Sequence, residues 1–171
     1  MKKHQTSKYV VQCALTVAII MVFFTIFRGI TNLLNAFLVP MALYTGMKGT
    51  NRLQAMTLFS VTLICGLLFF SVQLFFLSLY CMLAWQLQYL MKKGSSVIKT
   101  AIYLAGISAA GFYGAIRLTD LVFLTRMHTI FMGLFNGNWI LYGVMILAEG
   151  LIAGFGLAYG AAAVERRIGT A

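Results

Sequence analysis

Charge is scarce in this sequence. Only 9% of its 171 residues are Asp, Glu, Lys or Arg, where a soluble domain carries about 25%. With 61% of the residues hydrophobic, too little polar surface is left to cover a water-soluble globule, so that class is excluded. Zinc-ligand pairs, a Walker loop, a Gly-x-Ser-x-Gly elbow and carboxylate pairs at a useful spacing are all missing, and with them the usual means of catalysis and ATP hydrolysis. The chain is therefore expected not to be an enzyme. Histidine occurs twice, His4 in a basic tail and His128 alone beside Met127. A lone interfacial histidine reads as a polar anchor, so no metal and no cofactor is expected. Cys13, Cys65 and Cys81 sit at unrelated spacings inside apolar segments and read as small buried thiols.

What is present is a series of apolar runs of helix length, about 17–25 residues each, rather than the alternating segments of about ten residues that build a barrel. The fold class expected is an all-α integral membrane protein, a cell-membrane multi-pass protein. It is a single domain over 1–171, a bundle of about six transmembrane helices with spans near 9–27, 30–47, 53–70, 73–91, 97–118 and 138–164. Five or seven spans are the alternatives. The start, "MKKHQTSKYVVQCALTVAII", has the basic and apolar regions of a signal peptide, but its long apolar run lacks an Ala-x-Ala site and reads as a retained first span. Pro40, the only proline, falls in the second span and predicts a kink there. The stretch 53–91 is too long for one span and is expected to break near "FFSVQ". Residues 119–137 carry Asp120, Arg126 and His128 among apolar neighbours and predict a loop or interfacial helix over the bundle.

The net charge of +10 is arranged as short clusters between apolar runs, a topology signal rather than a nucleic-acid surface. With six spans and the N-terminus inside, Lys2, Lys3, Lys8, Lys48, Arg52, Lys92, Lys93, Lys99, Arg166 and Arg167 all fall on the cytoplasmic side. Arg28, Arg117 and Arg126 fall outside. Ten cations against three is a strong positive-inside bias, and it places both termini in the cytoplasm.

Two kinds of residue carry functional expectations. Small residues recur one turn apart: Ala14 and Ala18 in the first span, Ala101, Ala105 and Ala109 in the fifth, and Gly150, Gly154, Ala158 and Ala162 in the last. Each stripe lets another helix approach closely, either inside the bundle or on a partner. The second kind is the polar set expected at the outer face. Arg28 with Asn32 and Asn35, Arg117 and Arg126 around Asp120, and His128, Asn136, Asn138 and Trp139 would suit a small anionic, ring-bearing solute. An ion pair of Asp120 with Arg117 or Arg126 is the competing internal use, and snorkelling is the ordinary role of a cation at a membrane face. Glu149 falls roughly 16 Å along the last helix, near the membrane centre, where a carboxylate costs at least about 2.5 kcal/mol. It is expected either protonated and bonded to a neighbour such as Gln73, Gln86 or Tyr142, or in contact with a ligand or ion.

In "ALTVA" and "NAFLVPMALYTGMKGTNRLQAM" the chain resembles the substrate-binding S-components of energy-coupling-factor importers. Those are small bacterial six-helix proteins with both termini inside. The resemblance covers the layout of the whole chain, and its motifs are short. It implies that Ala14 and Ala18 dock on a transmembrane coupling subunit, which works with two cytoplasmic ATPase subunits. It also implies an outer pocket for a micronutrient, built from the outer parts of helices four to six and the first outer loop. From charge and position, Arg28, Asn32, Arg117, Arg126, Trp139 and Glu149 are the residues expected to meet the solute. The alternatives are a non-transporting scaffold subunit of a cell-envelope complex and an ion-conducting subunit that uses Glu149.

Overall fold

The structure is a computed structural model that describes the backbone of residues 2–27 and 32–169 and the side chains of 7–27 and 33–167. It is helical throughout, and no strand occurs among the described residues. The helices are α1 (Lys2–Ile26), α2 (Asn32–Gly46), α3 (Arg52–Phe69), α4 (Leu74–Lys92), α5 (Val97–Phe123), α6 (Met127–Leu134) and α7 (Trp139–Gly169), with a 3-10 turn at Ser71–Gln73. Five of these, α1, α3, α4, α5 and α7, are long and apolar enough to cross a membrane. The exposed surface is rich in large apolar side chains, among them Val11, Leu15, Leu53, Leu68, Leu121 and Ile140. Asn35, Thr62, Ser108 and Thr119 are buried. A soluble protein confines such polar groups to its surface and keeps large apolar patches small. The pattern here suits a bundle solvated by lipid.

The second predicted span, 30–47, is described from Asn32 onward. α2 has 15 residues, about 22 Å of helix against a hydrocarbon core of about 30 Å. It packs against α1, α4 and α7, and Ala36, Val39, Leu43 and Met47 are completely buried. A short helix is tolerable there because longer neighbours cover it. Pro40 lies inside this helix.

The break between α3 and α4 falls at "FFSVQ" as expected. No Gly or Pro makes it. Phe70 leaves helical geometry at φ −140°, ψ 47°, and the 3-10 turn follows directly. The fifth span was expected to stop near residue 118, but α5 runs to Phe123 and closes on Leu124 in the left-handed region. The last helix extends past 164, to Gly169. Between them α6 is a two-turn helix, joined to α7 by Asn136 and Gly137, both at positive φ. The Gly137 N–H donates to the Met132 carbonyl at 2.9 Å, the αL ending that glycine makes easy.

α5 and α7 form the most extensive helix pair in the chain. The two small-residue stripes that the sequence displays separately face each other here. A Cβ added at Gly154 would lie 2.4 Å from the Ala105 nitrogen and 2.7 Å from the Ala101 carbonyl oxygen. One added at Gly150 would lie 2.7 Å from the Ala109 Cβ. The helices touch backbone to backbone, the arrangement that lipid-embedded helices use in place of a hydrophobic driving force. Ala14 and Ala18 do the opposite. α1 buries Cys13, Thr16, Val17, Ile20 and Phe24 against the bundle and leaves both alanines exposed.

Helix direction gathers the described cations. Lys8, Lys48, Arg52, Lys92, Lys93, Lys99, Arg166 and Arg167 lie at one end, and Arg117 and Arg126 at the other. At the basic end the α2–α3 turn is fastened by polar side chains. Gln12 donates to the Gly46 carbonyl (3.0 Å), Gln88 to the Met47 carbonyl (3.2 Å) and the Tyr9 hydroxyl to the Gln54 carbonyl (2.5 Å). Asn51 and Gln54 close a capping box that starts α3. Glu165 of α7 binds Lys48 at 2.8 Å and accepts a hydrogen bond from the buried Tyr44 hydroxyl. A double-mutant cycle of Tyr44→Phe and Glu165→Ala is expected to show a coupling of about 1 kcal/mol in thermal stability, since the alanine alone leaves the buried Tyr44 hydroxyl without its acceptor.

Candidate functional site

The end opposite the basic cluster is built around α6. Asp120, on the last turn of α5, accepts hydrogen bonds from the Thr125 hydroxyl (2.5 Å), the Met127 amide (2.7 Å) and the His128 amide (2.8 Å). The first amides of a helix have no partner within it, and this carboxylate supplies one across the α5–α6 turn. The expected ion pair of Asp120 with Arg117 or Arg126 is therefore corrected. Asp120 serves as a cap, and both arginines are exposed, where a long cation is well solvated. Asn138 is likewise a cap rather than a pocket amide: its side-chain oxygen accepts from the Ile140 and Leu141 amides at 3.0 and 3.3 Å.

The cap holds His128 against α7. Its ring lies 5.4 Å from Tyr142, edge to face, and 5.6 Å from Trp139. Tyr113 of α5 joins from the other side, 6.5 Å from Tyr142. Tyr142 is almost fully buried, whereas Trp139 is 62% exposed, so the group has a covered interior and one aromatic wall open to its surroundings. Arg117, Asp120 and Glu149 all lie within electrostatic range of the Tyr142 hydroxyl. Beside α6, a cleft of about 240 Å³ is lined by Phe70, Gln73 and Met127 among others.

Four elements at this end each bring a buried polar atom with no hydrogen-bond partner among the described residues: Gln73 Oε1 of the 3-10 turn, Thr119 Oγ1 of α5, His128 Nε2 of α6 and Tyr142 Oη of α7. Most buried polar atoms in folded proteins are paired, and one left unpaired costs about 1–3 kcal/mol. Asn35, 1% exposed on α2, leaves both amide atoms unpaired in the same way. The sequence singled out Asn35 and His128, but Thr119 is an undistinguished residue there and was missed.

The other expected solute residues are distributed rather than convergent. Arg28 lies outside the described residues, as does the Asn32 side chain. Arg117, Arg126 and Trp139 are exposed, and Glu149 is half-buried with no hydrogen bond or ion pair to a described residue. Gln73, Gln86 and Tyr142 do not bond it. No group of three or more His, Cys, Asp or Glu residues with metal-site geometry occurs among the described residues. No protein-family model matches the chain, and no curated protein or solved structure matches it either.

Proposed function

We propose that the chain is the membrane-embedded substrate-binding subunit of an ATP-driven importer of the energy-coupling-factor type, with six spans and the basic end in the cytoplasm. α2 counts as the sixth span under this reading. The solute is a small micronutrient with a ring and a polar or anionic edge, bound at the end around α6. The observation that carries this is the aromatic group of His128, Trp139 and Tyr142, in which His128 Nε2 and Tyr142 Oη are unpaired among the described residues, with unpaired Gln73 Oε1 and Thr119 Oγ1 at the same end of the bundle. A ring stacks on the exposed Trp139 face of this group. Arg117 and Arg126 add positive potential at the mouth. Ala14 and Ala18, exposed on α1, support a docking face for a transmembrane coupling subunit with its two ATPase subunits. Nothing in this role requires catalysis by the chain itself.

The test is purification of the solubilised chain from its host, with mass spectrometry of the small molecules and proteins that accompany it. A stoichiometric solute, lost on His128→Ala and Tyr142→Phe, together with a coupling subunit and ATPases, is the expected result. Envelope-synthesis proteins with no solute would establish the scaffold reading instead. Replacing Ala14 and Ala18 with leucine is expected to abolish recovery of the coupling subunit while thermal stability changes by no more than about 0.5 kcal/mol, as for other exposed positions.

A further inference from the structure

α3 lies at the edge of the bundle, packed among the described residues chiefly on α1, α4 and the 3-10 turn, and the groove between α3 and α4 opens to the surroundings. At the basic end this groove deepens into a cleft of about 180 Å³ whose lining includes Asn51, Arg52, Trp85, Gln88, Tyr89 and Lys92. The lining holds two cations and no acid. Lys48, on the far side of the α2–α3 turn, is neutralised by Glu165 at 2.8 Å. Arg52 and Lys92 have no such partner among the described residues. Asn51 Oδ1 is committed to capping α3 and Gln88 Nε2 to the Met47 carbonyl, so the two cations are the charged groups left to face a ligand in the cleft.

The groove changes character along its length. Trp85, Tyr89 and Lys92 follow one another at helical spacing on α4, and Phe59 of α3 meets the Trp85 ring at 6.0 Å. One turn further from the basic end on α4, exposed Met82 continues it as apolar surface. A cationic mouth, an aromatic belt and an apolar runway form the profile of an amphiphile with an anionic head. The cleft is large enough for a phosphate group but too small for a whole lipid, so the acyl chains must lie outside it, along the runway.

We propose that this groove binds the phosphate headgroup of an acidic phospholipid, with Arg52 and Lys92 gripping the phosphate and Trp85 and Tyr89 bracketing the glycerol region. This is separate from the solute site at the opposite end, and it holds whether or not the chain belongs to an importer.

The chain contains two tryptophans, so Trp139→Phe leaves Trp85 as the sole reporter of the groove. The experiment places this variant in phosphatidylcholine nanodiscs and titrates brominated phosphatidylglycerol against brominated phosphatidylcholine. The phosphatidylglycerol is expected to quench Trp85 at a much lower mole fraction. Each cation near the surface contributes about fivefold, so Arg52→Gln with Lys92→Gln should lower the preference by about 25-fold. The control pair Lys93→Gln with Lys99→Gln removes the same charge from outside the cleft and should lower the preference by clearly less than the cleft pair. Equal quenching by the two lipids overturns the proposal, and so does an equal loss in the control pair. Release of the brominated lipid by inorganic phosphate at constant ionic strength would assign the cleft to a soluble phosphate and also overturn it. Should the double glutamine variant fail to fold, Arg52→Lys with Lys92→Arg keeps both charges and must keep the preference. Loss of preference in that variant refutes the pairing.

Discussion

Replacing Gly154 with valine will separate α5 from α7. At this position even a methyl group meets backbone on three atoms, the nearest 2.4 Å away. No rotamer change relieves a clash with backbone, so the helices must part along the whole seam. Overpacking of a tight core costs about 1–3 kcal/mol and occasionally more. Valine here should fall at or beyond the upper end, because separation also forfeits the dispersion contacts of the neighbouring turns. The expected result is loss of a monodisperse peak in size-exclusion chromatography, or a clear drop in melting temperature in detergent. Gly106→Ala provides the contrast. Nothing lies within 4 Å of a Cβ at Gly106, and alanine there should be neutral or stabilising by up to about 1 kcal/mol through helix propensity. If both variants behave alike, the seam is not a close contact.

Asp120→Ala should detach α6 while leaving the long helices assembled. The substitution deprives the Thr125 hydroxyl and the Met127 and His128 amides of their common acceptor. Hydrogen bonds to a charged group contribute about 1.5–3 kcal/mol each, and α6 has no buried residue of its own to compensate. Hydrogen exchange at the α6 amides should accelerate by at least about tenfold, the equivalent of about 1.4 kcal/mol. Protease cleavage should appear between α5 and α7. Asp120→Asn keeps an acceptor oxygen but loses the charge, and it should fall between the two. If the aromatic group around His128 binds a solute, affinity should follow the same order, since the cap sets where that ring stands.

The two variants illustrate what the sequence could and could not disclose. Apolar run length pointed to the five long apolar helices, although α1, α5 and α7 each extend five to seven residues beyond the expected runs at one end, and the break at "FFSVQ" was readable. The extension of α5 to Phe123 was not readable, because it ends in a polar contact between Asp120 and residues five to eight positions ahead. Charge pattern alone suggested an arginine partner instead. Both stripes of the α5–α7 seam were visible as spacing, yet their mutual contact depends on which helices become neighbours. The link from Tyr44 and Lys48 to Glu165 spans more than a hundred residues, and nothing local marks it. Buried polar atoms such as Thr119 Oγ1 become conspicuous only once their surroundings show no partner.

The seam also sets an order of events during synthesis. Ala101, Ala105 and Ala109 leave the ribosome some forty residues before Gly150 and Gly154, which lie in the last helix described. Until that helix arrives, the alanine face of α5 has only lipid or a wrong partner to meet, and α2 lacks one of the three neighbours that cover it. Late closure of this kind leaves an open interval in which membrane chaperones can act, and it concentrates the sensitivity to assembly errors on the arrival of α7.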